Sequence, residues 1–162
     1  TTAITIVPSE GMLGFTLFEY ELEKQTNFDT DYFIDSIASS LAGRIAENIL
    51  LGEENKPTSG AAEDLKKATS IARAIVTKFG MDDSCSKNMT NFCNDDISDL
   101  ALLSNEKKQL IENKTQDFIN EAYERAEKIL NDNRKLLDLI AQELLRSEIL
   151  VEKDLDELCS QV

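Results

Sequence analysis

One carboxylate stands where the pattern of the chain asks for an apolar side chain. Residues 58–69 read TSGAAEDLKKAT, and from Ala61 onward the apolar positions recur with helical spacing. Ala61, Leu65, Ala68, Ile71, Ala72, Ile75, Val76 and Phe79 share one face. At about 100° per residue, Asp64 falls inside that arc, stacked with Ala68, Ile71 and Ile75, while Glu63, Lys66, Lys67 and Arg73 point elsewhere. A carboxylate on a core-facing stripe needs a partner: a cation, an Arg or Lys, or backbone N–H groups. Position alone leaves three roles open for Asp64. It can be a metal donor, one half of an ion pair with Arg44, or a first-turn acid favoured by the helix N-terminus at roughly 0.3–1 kcal/mol.

Other groups with chemical potential narrow the choices. The chain contains no histidine, so it holds neither a Ser-His-Asp nor a Cys-His constellation, and no His-ligated metal site of its own. Its three cysteines, Cys85, Cys93 and Cys159, are odd in number and lack zinc-knuckle spacing, which points to reduced thiols in a cytoplasmic setting. Glu47 projects away from the apolar face of its own helix and reads as solvated or structural. Glu63 and Lys67 are spaced as an ordinary exposed helical pair. No GxGxxG or GxxxxGK[ST] phosphate loop occurs. No catalytic residue is assigned within the chain.

The elements that must position Asp64 follow from the same patterning. Ala3–Val7 and Met12–Phe18 read as short strands in a small hairpin, separated by Pro8 and Gly11. Asp29 or Thr30 is the expected cap of a helix to about Leu51, with Ile34, Ile37, Ala38, Leu41, Ile45 and Ile49 on one face. Gly43 inside that helix suggests a close helix approach, and Gly52 its stop. Thr58 or Ser59 should cap the Asp64 helix, which ends at Gly80. Residues 82–99 read as a polar loop with a short strand. A long helical pattern covers Asn105–Arg146, with Leu110, Phe118, Ala122, Ala126, Ile129, Leu136, Ile140 and Leu144 apolar and a break or bend at Asn131-Asp132-Asn133. A short helix, Glu152–Cys159, closes the chain. The fold class is mainly α with a small β element. The expected organisation is a single domain over 1–162, with small strands in 1–18, two core helices in 30–80 and C-terminal helices in 105–160.

Composition agrees with a folded domain: 162 residues, 41% hydrophobic and 30% charged. A formal charge of −14 argues against nucleic-acid or anionic-lipid binding, which depend on clustered Lys and Arg. No apolar run is long enough to cross a bilayer. The opening TTAITIV enters a strand-like alternation without an initiator Met, so the expectation is that the chain starts inside a longer protein.

In order along the chain, ITIVPSEGMLGFT, LAGRIAEN, TSGAAEDLKKATSIARA, FGM, INEAYERAEKIL and LLRSEILVEKDLDEL resemble segments of the peptidase domain of FtsH-type ATP-dependent zinc metalloproteases. The corresponding family patterns are VTIIPRGxALGYT, GGRxAE, TTGA or TSGA followed by LxxATxxAR, and YGM or FGM. The combination in order is specific, and it is weakest over residues 82–117. The resemblance implies a zinc metalloendopeptidase whose HExxH helix supplies two histidine ligands and a general base, with Asp64 as the third protein ligand. It further implies polypeptide substrates, an ATPase ring and membrane anchor outside this chain, and a homo-oligomer, a hexamer in the family. Met12–Phe15 would lie beside the cleft, where an extended substrate adds by backbone pairing, although a core hairpin is the simpler reading of those residues. HExxH is absent here, so the chain alone is expected to be inactive. The alternative is a noncatalytic helical scaffold or assembly module derived from the same family.

Overall fold

A computed structural model of the chain describes residues 2–9, 14–18, 28–51, 58–81 and 103–161. The expected loop over 82–99, Met12, Leu13 and the stop at Gly52 lie outside the described residues. The residues fall into two compact units, Asn27–Ile129 and the pairing of Thr1–Thr26 with Leu130–Val162.

In the larger unit, α1 spans Thr30–Leu51. Asp29 is its cap: the Oδ1 atom accepts a 2.9 Å hydrogen bond from the Tyr32 N–H, satisfying an otherwise orphaned donor. The periodic face expected for α1 is the face that is buried, with Ile37 and Ile45 fully enclosed and Ile34, Ala38 and Leu41 nearly so. Gly43 departs from expectation. It is exposed, and a Cβ built on it meets nothing within 4 Å, so no close helix approach requires it.

A 3-10 turn at Ser59–Ala61, capped by Thr58, leads into α2, Ala62–Ala74. The sequence reads as one helix to Gly80, but the last turn widens to a π-helical turn at Ile75–Phe79. Gly80 then adopts φ 61°, a left-handed conformation that glycine takes without steric penalty, and its N–H returns to the Ile75 carbonyl. The wide turn buries three successive residues, Ile75, Val76 and Thr77. Phe79, expected on the apolar face, is partly exposed and stacks on Phe33 of α1 at a centroid distance of 5.0 Å.

α3 spans Asn105–Asp132 and starts at Ser104, whose Oγ accepts from the Lys107 N–H at 3.3 Å. Its Ile111 packs with Val76, with Leu103 and Phe118 against the pair. Arg125 on α3 reaches Asp35 at 2.7 Å and Asp31 at 3.2 Å, tying it to the first turns of α1. The long helical pattern breaks at Asn133, within the Asn-Asp-Asn stretch where a break or bend is expected, and Asn133 leaves helical geometry at φ −110°, ψ 25°.

In the smaller unit, α4 spans Arg134–Ser147 and α5 spans Glu152–Cys159. Strands β1 (Ala3–Thr5) and β2 (Phe15–Leu17) pair antiparallel, with Ala3 opposite Leu17 and Thr5 opposite Phe15. A third strand, β3 (Ile149–Val151), pairs antiparallel with β1 on its other side and places Ile4 opposite Leu150, which is buried. β3 is absent from the sequence-based reading. The order is β2-β1-β3. Gly14 has a steric reason: a Cβ there would stand 2.5 Å from the Thr5 carbonyl oxygen. Among the described residues, no helix is long and apolar enough to cross a membrane.

Candidate functional site around Asp64

The turn that leads to Asp64 is held from below by α1. Arg44 and Glu47 lie three residues apart, hence on the same side of the helix, and their side chains meet at 3.1 Å. Both are largely screened from solvent, at 18% and 23% side-chain exposure. From there they reach the same residue. The Arg44 guanidinium donates to the Thr58 carbonyl oxygen, and a Glu47 carboxylate oxygen accepts from the Thr58 N–H at 3.1 Å. Thr58 is therefore gripped through both backbone groups, while its own Oγ1 accepts from the Gly60 N–H at 3.3 Å and shapes the turn.

This arrangement perturbs one titration. Hydrogen bonds from the Thr58 hydroxyl and backbone N–H, helped by the Arg44 charge, hold the Glu47 carboxyl below its ordinary value of 4.5. Burial acts in the opposite direction and loses. Glu47 is thus a structural carboxylate, as its outward projection from the apolar face suggests, but it is not simply solvated. The clamp itself is a feature the sequence reading missed. Its signal is the i, i+3 charge pair in GRIAE, followed across a short connection by a Thr that caps the next helix.

Asp64 stands in the first turn of α2, beside Glu63. The helical arc places it on the core side, but the side chain is exposed. The reason is where α1 touches α2. Along the stripe Ala61 is buried, as are Ala68, Ala72, Ile75 and Val76, and the stretch between them stays open, with Leu65 at 41% exposure. The ion pair with Arg44 does not form, because that guanidinium is taken by Glu47 and Thr58. Asp64 has no hydrogen-bond or ion-pair partner among the described residues. Glu63 pairs with Lys66 at 3.6 Å rather than with Lys67.

The donor set available for a metal is small. No group of three or more His, Cys, Asp or Glu side chains that could hold an ion occurs among the described residues. Asp64 fits the part of a single donor: its carboxylate is open, charged and uncommitted, on a turn braced against α1. The chain has no histidine, and among the described residues no group of Cys, Asp or Glu stands with Asp64 to supply the remaining donors a zinc ion needs.

The β2 strand occupies an edge of its sheet, and Phe15, Thr16 and Leu17 are all exposed. The expected antiparallel pairing of β1 with β2 forms, with the described residues of β2 exposed, while Met12 and Leu13 lie outside the described residues. β1 is the half-buried partner, and β2 is open on both faces.

A family model described as peptidase family M41 matches residues 1–158. The chain is 37% identical over 164 residues to an ATP-dependent zinc metalloprotease FtsH of Mycoplasmopsis synoviae, covering 98% of this chain and 24% of that protein. Similar matches are found to an ATP-dependent zinc metalloprotease FtsH 3 of Symbiobacterium thermophilum, 34% identical over 98% of this chain and 26% of that protein, and to one from Acholeplasma laidlawii, 34% identical over 97% and 25%. The chain spans about a quarter of the length of these relatives.

Proposed function

The chain belongs to peptidase family M41, as a peptidase domain of the FtsH type, and on that premise we propose that Asp64 completes a zinc site whose other donors lie outside these 162 residues. The chemistry zinc supplies when held in such a site is a water acidic enough near neutral pH to attack a peptide carbonyl. What this chain contributes is one anionic oxygen donor at the start of α2, held in place by the braced Thr58 turn. The observation that carries the reading is the exposed Asp64 carboxylate, without a hydrogen-bond or ion-pair partner among the described residues, while Arg44 is engaged by Glu47 and Thr58. Helix N-terminal dipoles favour an anion there as well, so ligation and capping are separated by experiment rather than by position.

The single-domain reading of residues 1–162 is part of the same proposal, supported by a family match that runs almost end to end. So are polypeptide substrates, ATP dependence through another domain and assembly into a ring, features suggested by the relatives' names and by the family resemblance. The exposed edge of β2 supports substrate pairing in extended conformation, backbone to backbone. The 162-residue chain by itself, with one donor and no histidine, is inactive in this reading.

Asp64→Asn in the full-length protein tests the assignment, since the amide keeps the shape and removes the charge. Bound zinc per protomer and cleavage of an unfolded substrate should both fall. Unchanged metal content would refute ligation, and zinc-dependent proteolysis by the isolated chain would refute its inactivity. The scaffold alternative predicts that the full-length protein carries no zinc at all.

A further inference from the structure

We propose that Arg44 and Glu47 are positioning residues for Asp64, acting through the backbone of Thr58; the inference rests on the reading of Asp64 as a zinc donor. The argument is geometric. Five residues lie between Thr58 and Asp64, and they comprise a 3-10 turn and the start of α2, both internally hydrogen-bonded. Such a segment moves as a unit, so fixing the residue at its start fixes where the Asp64 Cα stands and which way its Cα–Cβ bond points.

The first residue is fixed with unusual completeness. A single hydrogen bond leaves a peptide free to swing about the bond axis. Here the carbonyl of Thr58 accepts from a cation and its N–H donates to an anion, and the two charged groups also bond to each other at 3.1 Å. Both charges come from one rigid helix, α1, whose opposite face is buried in the core. The side chains are screened enough from water to hold that geometry. Nothing in this arrangement touches Asp64 directly. Its effect on a bound cation is therefore through backbone orientation, one step further out than groups that hydrogen-bond a ligand directly, whose loss weakens binding about 10–100-fold.

The test compares variants of the full-length protein by zinc affinity, measured by competition with a chromogenic chelator, alongside thermal stability of the metal-free form. Glu47→Gln keeps the shape of the side chain and loses its charge, and Arg44→Met loses both guanidinium bonds. Each is expected to weaken zinc binding several-fold, up to about the 10-fold lower bound for groups bonded directly to a ligand. Arg125→Met is the matched control, because it cuts ion pairs to Asp31 and Asp35 on the same helix α1 without involving the Thr58 turn. It should lower the melting temperature and leave zinc affinity unchanged. If all three variants weaken zinc in proportion to their loss of stability, the pair is merely structural and the inference fails. If Asp64→Asn weakens zinc while Glu47→Gln does not, positioning is refuted and ligation stands. If Asp64→Asn itself leaves affinity unchanged, the ligand reading falls, and this inference with it. Should Arg44→Met fail to fold, Glu47→Gln decides alone.

Discussion

Gly43→Ala should stabilise the protein, and the size of the gain can be worked out from its surroundings. Gly43 sits inside α1, away from both ends, and its side is exposed. Alanine relieves the entropy a helical glycine loses on folding, a difference of about 1 kcal/mol. Nothing subtracts from that, since the added Cβ has no neighbour within 4 Å. For a chain of this size 1 kcal/mol corresponds to about 2–4 °C in melting temperature. Circular dichroism melts and urea titrations both read it, the latter as a higher midpoint at unchanged slope. Gly14→Ala gives the opposite sign. Its Cβ would lie 2.5 Å from the Thr5 carbonyl oxygen, so β2 must shift away from β1, at about 1–3 kcal/mol for overpacking. A melting temperature for Gly43→Ala at or below that of the parent would refute the reasoning. It would mean that the outer side of α1 carries a contact that glycine alone admits.

Other consequences are as direct. Ile75→Ala empties a fully enclosed position in the π-helical turn and should cost about 2–5 kcal/mol, seen as a lower urea midpoint. Ser104→Ala removes the cap of α3 and should cost about 1 kcal/mol by thermal melt. Glu47 should give stability a pH dependence. Its native carboxyl is held below the ordinary 4.5, so the unfolded chain binds the proton more tightly. The stabilisation is complete above pH 4.5 and is lost as pH falls through the depressed native value. The stability difference between parent and Glu47→Gln should accordingly shrink in acid, and a difference independent of pH would contradict the hydrogen bonding assigned to Glu47.

The helical periodicities were the most legible part of the chain. Ile34, Ile37, Ala38, Leu41 and Ile45 repeat with the period of one buried face, and one face of α1 is buried. Capping at Asp29 and Thr58 was legible for the same local reason, because a cap is decided within three or four residues. β3 was not. Three residues carry no period, and Ile149–Val151 become a strand only by pairing with β1, at the other end of the chain. Asp64 shows a different limit. A helical wheel gives direction but not how far along the helix the neighbour extends, and α1 buries α2 from Ala68 onward only. The Thr58 clamp joins local and distant information: the Arg44–Glu47 pair is readable from its spacing, its target across the connection is not.

The π-helical turn at Ile75–Phe79 acts as a phase shifter. One residue more than an α-turn advances the side-chain directions by about 100° at 3.6 residues per turn. Without it, the ring of Phe79 would swing off Phe33. The chain would also leave through Gly80 along another heading. A one-residue deletion in this stretch is thus a rotation imposed on the end of the helix, Phe79 and Gly80, which a substitution at the same place is not.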